Sequence, residues 1–311
     1  MSDKRKKVIL DTDPGVDDAI AMLMLMGSPD IDLLAIAAVG GNVGLASTLH
    51  NALCLTELAG RTDIPVYAGA EQPLLQRLET AEDIHGRRGL GPLELPAPTK
   101  RAEPGEVGEL FYRLARQHPG EITLVAIGPL TNLGRAFLAH PDLPALLREV
   151  VIMGGAVVGG NATLQAEFNI YVDPEAARVV FDSGVKLTMF PLDICHRTML
   201  GLPDIEGLAR IGSHRAAAVA ELLRHAYGVS TGRLGLQGTP VYDAVTAAFV
   251  IRPELFALRD FNVEIELRGA RTRGRTVVDH YGFTRKPTNC AIPVESDTQG
   301  YLALLHELLR D

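Results

Sequence analysis

The sequence has few cysteines, no long apolar run and no excess of basic residues. Only three of its 311 residues are cysteines, at positions 54, 195 and 290, which is typical of reduced thiols and not of a disulfide framework. No window reaches the roughly 20 apolar residues of a membrane span. The formal net charge of −8 gives no attraction for nucleic acid or anionic lipid. We therefore expect a cytoplasmic protein with a small-molecule partner, and neither nucleic acid nor a membrane.

What is present is an alternation of short apolar runs with Ala- and Leu-rich stretches of helical period. The runs at 33–39 (LLAIAAV) and 122–127 (ITLVAI) are apolar on both faces, as strands covered by helices on both sides should be. This alternation predicts βαβ units around a mostly parallel sheet. Since no repeat or linker interrupts it, the sequence predicts a single α/β domain over residues 1–311, with a Rossmann-like central sheet flanked by helices.

Three later stretches have their own patterns. Residues 79–104 are rich in glycine and proline without a period, which indicates a long surface loop of the kind that covers a site. The segment after Phe261 alternates like two strands joined by a Gly/Arg turn and predicts an edge hairpin. Residues 299–309 (QGYLALLHELL) predict a closing helix.

The stretch DTDPGVDDA at 11–19 places Asp11, Asp13, Asp17 and Asp18 around one Pro-Gly turn after the first predicted strand. We expect all four carboxylates to gather at the carboxyl end of that strand, where open α/β sheets bind ligands. Helix capping accounts for one or two of them, but not for four. Because carboxylates this close repel one another, the cluster indicates a shared proton or a cation.

The ligand atoms of the cluster indicate which cation it would bind. Carboxylate and carbonyl oxygens suit Ca²⁺, which accepts about six to eight oxygen ligands, and the lack of a Cys/His cluster counts against zinc. One alternative remains open at this point. Phosphatases of the haloacid dehalogenase type also place Asp-x-Asp after a first strand, and Asp11 would then be the nucleophile of a Mg²⁺-dependent enzyme.

Six further sequence blocks follow the aspartate cluster along the chain. In order, they are 39–52 (VGGNVGLASTLHNA), 84–91 (IHGRRGLG), 128–134 (GPLTNLG), 150–177 (VVIMGGAVVGGNATLQAEFNIYVDPEAA), 242–248 (YDAVTAA) and 274–279 (GRTVVD). Together with DTDPGVDDA they resemble the nucleoside hydrolases of the inosine-uridine-preferring type, along nearly the whole chain. The resemblance implies the nucleoside hydrolase fold and a homodimer or homotetramer.

The resemblance also implies a role for particular residues. The calcium ligands correspond to Asp13, Asp18, Asp243 and the backbone carbonyl of Ile127. Asp17 corresponds to the general base, beside the metal. The residues that hold the ribose hydroxyls correspond to Asn42, Asn161, Glu167 and Asn169, and His85 to a loop histidine that approaches ribose or base when the loop closes.

The implied reaction is hydrolysis of the N-glycosidic bond of a ribonucleoside to free base and ribose. Cleavage of that bond develops oxocarbenium-like positive charge on the sugar, as in glycoside hydrolysis. Calcium would orient a water below the anomeric carbon and lower its pKa, and Asp17 would remove its proton. Carboxylates near the ring would stabilise the positive charge more in the transition state than in the ground state.

The leaving-group position departs from the family pattern. Many relatives carry a histidine where this chain has Tyr242, whose phenol is poorly matched to proton transfer at neutral pH. Tyr242 is interpreted as a proton donor, a stacking surface for the base, or a wall of the pocket. It keeps open a third function, a nucleoside- or ribose-binding protein with weak catalysis. The sequence contains no tryptophan, which excludes the Trp-stacking purine-specific type.

Two further features are left without a functional role. His196 follows a predicted strand and is interpreted as structural. Base recognition falls in residues 222–241, where the correspondence with relatives is too loose to assign residues.

Overall fold

The computed structural model describes residues 5–310. The strands are β1 Lys6–Thr12, β2 Ile31–Ala38, β3 Val66–Ala68, β4 Ile122–Ala126, β5 Glu149–Met153, β6 Leu187–Phe190, β7 Phe256–Phe261, β8 Val263–Ile265, β9 Thr276–Val278 and β10 Cys290–Ser296. The helices are α1 Val16–Gly27, α2 Leu45–Leu58, α3 Glu82–His85, α4 Val107–Gln117, α5 Thr131–Ala139, α6 Leu143–Leu146, α7 Phe168–Val172, α8 Pro174–Asp182, α9 Leu192–Cys195, α10 Leu202–Ala209, α11 His214–Gly232, α12 Tyr242–Ile251 and α13 Thr298–Leu308, with a 3₁₀ turn at Pro253–Leu255.

One eight-stranded sheet organises the molecule, in the order β3-β2-β1-β4-β5-β6-β10-β7. All neighbours pair in parallel except β10 and β7, which are antiparallel. The predicted fold class, α/β with a mostly parallel sheet flanked by helices, is confirmed. Strands β7 and β10 were not predicted from the sequence, and β10 pairs with β6 although the two lie about 100 residues apart in the chain.

Helices cover both faces of the sheet, because its central strands are apolar on both sides. In β1, Val8 and Leu10 pack into one core with α1, α11 and α12, whereas Ile9 between them packs into the opposite core with α4, α5 and α8. Alternate residues of a strand point to opposite faces, so a continuous apolar run needs two covered faces. The two apolar runs that predicted this layering, at 33–39 and 122–127, lie in β2 and β4.

The three stretches with their own patterns have different outcomes. The closing helix is confirmed as α13. The predicted edge hairpin forms, but β8 and β9 pair as a separate two-stranded antiparallel sheet and not on the edge of the large one. The predicted loop at 79–104 contains the single short helix α3.

Two further expectations bear on the whole chain. Cys54, Cys195 and Cys290 are unpaired and buried, as expected. No helix within residues 5–310 is long and apolar enough to cross a membrane. The single domain over residues 1–311 stays a prediction.

Candidate active site

The candidate site lies where the chain reverses direction across the sheet. From β1 the chain builds outward to β2 and β3, then returns to place β4 on the other side of β1. Loops leaving neighbouring strands diverge at such a point and open a crevice at their carboxyl ends. Asp13 follows β1, Asn42 follows β2 and Ile127 follows β4. Three predicted site residues that are far apart in sequence therefore meet because of the strand order.

Three carboxylates form the centre of the site. Asp17 and Asp18 lie in the first turn of α1, and Asp243 lies in the first turn of α12, which packs against α1. One oxygen from each of the three lies within 4.8 Å of the other two, a spacing that could hold a metal ion. Sequence reasoning placed Asp243 at this site only through the family resemblance, and the packing of α12 on α1 is what brings it there.

Asp13 extends the cluster and is held in a confined space. Its Oδ2 accepts a hydrogen bond from the backbone N–H of Asn42 at 2.6 Å, while its Oδ1 is buried and has no hydrogen-bond partner among residues 5–310. A Cβ at Gly41 would lie 2.0 Å from Oδ2, and one at Gly128 would lie 2.5 Å from Oδ1. Any side chain at either glycine would therefore clash with the Asp13 carboxylate. The sequence analysis did not assign these two glycines to the site.

Asp18 is fixed from several sides. Its Oδ1 accepts from the Thr12 hydroxyl at 2.7 Å, and its Oδ2 accepts from the Gly15 N–H at 3.0 Å and from the Asn42 side-chain amide at 2.9 Å. These donors satisfy a carboxylate and not a carboxylic acid, so they favour the ionised form. Asn42 thus bridges Asp13 and Asp18, and its predicted role in binding ribose stays a prediction.

Burial and mutual repulsion raise the pKa values of the carboxylates in this group. Burial raises the pKa of Asp17 to about 6. Burial, followed by repulsion from Asp18, raises the pKa of Asp13 well above its ordinary value. Burial, followed by repulsion from Asp17 and Asp18, does the same for the pKa of Asp243. A bound cation would lower these pKa values, because positive charge favours the ionised form of each carboxylate.

Asp11 does not join this group, contrary to the expectation that all four aspartates gather. Its side chain points from β1 toward α5, where Oδ1 accepts from the Asn132 amide at 2.7 Å. Burial raises the pKa of Asp11 to about 7, and the Asn132 hydrogen bond opposes the shift. Residue 11 is two positions from residue 13, but β1 ends at Thr12, so the period of the strand no longer aligns their side chains.

The other predicted residues differ in what they contact. Asn169 donates to the Ile127 carbonyl at 3.0 Å. Nδ1 of His85 lies 4.0 Å from Oδ1 of Asp17 and accepts from the Val16 N–H, and burial lowers the pKa of His85 to about 4. Asn161 is exposed, and its side chain accepts a hydrogen bond from the Phe168 N–H at 2.9 Å.

Glu167 supports the backbone of the site. It caps the N-terminus of α7 by accepting from the N–H groups of Asn169 and Ile170, and it also accepts from the N–H of Gly155 at 2.8 Å. Burial raises the pKa of Glu167 to about 7, and these backbone donors oppose the shift. Each oxygen is already engaged with the protein, so the predicted contact of Glu167 with ribose would use a remaining lone pair.

This arrangement predicts a stability effect at Glu167. Glu167→Ala is expected to lower the free energy of unfolding by about 2–3 kcal/mol, because a helix cap is lost and buried N–H donors are left without an acceptor. Glu167→Gln, which keeps one oxygen acceptor, should lose less. Urea denaturation of metal-free protein measures both. Equal stability of the alanine variant and the wild type would contradict the supporting role.

Known proteins are similar to this chain over nearly its whole length. A family model described as inosine-uridine preferring nucleoside hydrolase matches residues 8–303. The chain is 41% identical over 305 residues to the pyrimidine-specific ribonucleoside hydrolase RihA of Photobacterium profundum, covering 98% of each protein. Its structure resembles the plant nucleoside hydrolase PpNRh1, with a TM-score of 0.92, 31% identity and 98% of both chains covered. The purine-preferring ribonucleoside hydrolase from Gardnerella vaginalis gives a TM-score of 0.91, 28% identity and 98% coverage of both chains.

Proposed function

The chain belongs to the inosine-uridine preferring nucleoside hydrolase family and is a ribonucleoside hydrolase, and we propose that it uses calcium to cleave pyrimidine ribonucleosides. The observation that carries the proposed calcium dependence is the carboxylate cluster at the carboxyl edge of the sheet. The substrate is a ribonucleoside, a small molecule, and the products are a free base and ribose.

The residues present fit a calcium ion. Asp13 offers a buried oxygen without a partner, and Asp18 and Asp243 offer carboxylates that repel their neighbours. The Ile127 carbonyl accepts one hydrogen bond, from Asn169, which leaves a lone pair available. All four donors are oxygens, the ligand type that calcium prefers, and about six to eight would complete its shell. We propose Asp13, Asp18, Asp243 and the Ile127 carbonyl as ligands.

The chemical step is assigned to the residues around that site. When bound, a calcium ion supplies positive charge that orients ribose hydroxyls and lowers the pKa of a nearby water. Asp17, the partly exposed member of the cluster, takes the proton of the attacking water. The bond between C1′ and the base nitrogen breaks, and its electron pair leaves with the base. The surrounding carboxylates stabilise the positive charge that develops on the sugar.

Asp13 is the rival of Asp17 for the role of base. A base needs an oxygen that is not already engaged, and Oδ1 of Asp13 has no hydrogen-bond partner among the described residues. The two carboxylates are separable by experiment, because loss of a metal ligand and loss of a base respond differently to calcium concentration.

Binding of ribose is assigned to Asn42, Asn161, Glu167 and Asn169, with His85 closing over the site. The loop of residues 79–104 already holds His85 against the first turn of α1. It is anchored to the C-terminal end of α11 by an ion pair between Asp83 and Arg233, the residue that follows the helix. Within α11, Nε2 of His225 lies 3.0 Å from the Ile84 carbonyl. These contacts support a loop that covers the substrate and excludes water.

The preference for pyrimidines rests on the curated relatives, named pyrimidine-specific, which are more similar in sequence than the purine-preferring structural relative. The lack of tryptophan agrees with this choice. We further propose a homodimer or homotetramer. A cytoplasmic location is supported by the three unpaired, buried cysteines.

The phosphatase alternative loses its nucleophile in this structure. Asp11 is held by Asn132 and lies outside the carboxylate group, whereas a nucleophile must face the substrate. The alternative of a nucleoside- or ribose-binding protein depends on Tyr242. Measuring whether the protein hydrolyses nucleosides tests it.

The activity test is release of reducing sugar from uridine, cytidine, inosine, adenosine and guanosine. Protein stripped of divalent metal is expected to release ribose only after Ca²⁺ is restored, and fastest from uridine or cytidine. Faster release from the purines would refute the pyrimidine preference alone. If no nucleoside is cleaved but 4-nitrophenyl phosphate is hydrolysed with Mg²⁺, the hydrolase proposal is wrong; binding of nucleosides without turnover would favour the binding protein.

A further inference from the structure

We propose that His196 is a positioning residue for departure of the base, acting through the hydroxyl of Tyr242. In this arrangement, Nε2–H of His196 donates to the Tyr242 oxygen, and the Tyr242 O–H donates in turn to the departing base. The inference rests on the proposed function and deepens it. It assigns a contact to the leaving base at the position where many relatives carry a histidine and this chain has Tyr242.

The contact between the two side chains is direct. Nε2 of His196 lies 3.3 Å from the Tyr242 hydroxyl oxygen, and the two rings meet edge to face with centroids 5.9 Å apart. This distance is at the long end for a hydrogen bond, and such contacts commonly tighten when the substrate is bound. A histidine nitrogen can donate or accept, so the pair can be arranged with the tyrosine hydrogen free to point elsewhere.

Both side chains are carried by backbone that is hydrogen-bonded to neighbouring elements. Tyr242 is the first residue of α12 and precedes the proposed ligand Asp243. His196 directly follows α9, and its N–H donates to the Leu192 carbonyl at 2.9 Å. The segments after His196 and before Tyr242 are joined by two backbone hydrogen bonds of 2.9 Å between Leu200 and Thr239. The pair is therefore preorganised on two packed elements, which lowers the cost of holding it during the reaction.

The chemistry requires such a partner. As the C1′–N bond breaks, the electron pair remains on the base, and the base leaves as an anion that takes a proton from water afterwards. A hydrogen bond from Tyr242 to that anion becomes stronger as negative charge develops, which is the condition for catalysis. The Tyr242 oxygen becomes more negative in the same step, and burial and the charges of Asp17 and Glu167 oppose that change. The hydrogen bond from His196 offsets that repulsion and polarises the hydroxyl.

The ring of His196 is exposed, so the simplest rival is that it only packs against Tyr242. A packing role and a leaving-group role differ in their dependence on the leaving group. The uracil anion is a poor leaving group and needs stabilisation as it departs. 4-Nitrophenolate is a stable anion and needs little.

The experiment compares kcat for uridine and for 4-nitrophenyl β-D-ribofuranoside in His196→Ala, Tyr242→Phe and the double variant. Each single variant is expected to lose about tenfold on uridine, the effect of one hydrogen bond near developing charge. The double variant should lose no more than Tyr242→Phe, since the two residues act in series. Activity on the nitrophenyl riboside should stay within about twofold.

Two matched variants complete the design. His196→Gln retains an amide N–H of similar reach and should recover at least half of the uridine activity. His214→Ala, at the exposed start of α11, should behave as wild type on both substrates.

The inference is overturned if His196→Ala leaves uridine turnover unchanged, if both substrates decline equally, or if the single losses add in the double variant. Failure of the proposed function is distinct, because the wild type would then release ribose from neither substrate.

Discussion

Asp17→Asn is expected to lower kcat for uridine by about 10²- to 10⁴-fold, the usual contribution of a general base. The substitution keeps the size and shape of the side chain but removes its ability to take a proton from water. The loss should persist at saturating calcium, because the proposed role of Asp17 is proton transfer and not metal binding. Initial rates across a calcium titration, with calcium affinity from calorimetry, provide the measurement.

Asp13→Asn is the matched variant for this experiment. As a proposed ligand, Asp13 should mainly determine calcium affinity, so the variant is expected to need more calcium and to recover kcat as calcium saturates. The reverse pattern, recovery in Asp17→Asn and persistent loss in Asp13→Asn, would assign the base to Asp13 and its unpaired Oδ1. Asp260→Asn, on the exposed side of edge strand β7, is the control and should retain wild-type rates.

Removal of calcium is expected to abolish ribose release and also to lower the stability of the fold. A ligand at 100 times its Kd that binds only the native state adds about 2.7 kcal/mol. At roughly 2 °C per kcal/mol for a chain of this size, restoring calcium should raise Tm by about 5 °C. Thermal unfolding of chelator-treated protein, with Ca²⁺ or Mg²⁺ added back, measures the effect. Mg²⁺, which demands a tighter octahedral shell, should stabilise less.

Asp243→Asn separates the repulsion within the cluster from the binding of the ion. The metal-free variant is expected to be more stable than the metal-free wild type, because one of the repelling carboxylates becomes neutral. Its Tm should no longer respond to calcium, and its activity should be lost. A calcium-induced rise in Tm equal to that of the wild type would exclude Asp243 as a ligand.

Local sequence patterns were sufficient to predict the layers of the fold. A run such as ITLVAI at 122–127 can be a buried strand only if both of its faces are covered, and this condition leads to helices on both sides of the sheet. The start of the site was also predictable. Asp17 and Asp18 fall in the first turn of α1 because Pro14 and Gly15 end the strand and the helix follows at once. These features depend on residues within a few positions of one another.

The tertiary structure decided which side chains meet. Asp243 reaches Asp17 because α12 packs on α1, and His196 reaches Tyr242 because the segments around Leu200 and Thr239 pair. Asp11 faces Asn132 although it belongs to the same nine-residue motif as the cluster. The sequence by itself determined the residue types and the local turns, since periodicity and backbone sterics act over a few residues. Contacts between residues 46 to more than 200 positions apart depend on strand order and helix packing, which no local pattern encodes.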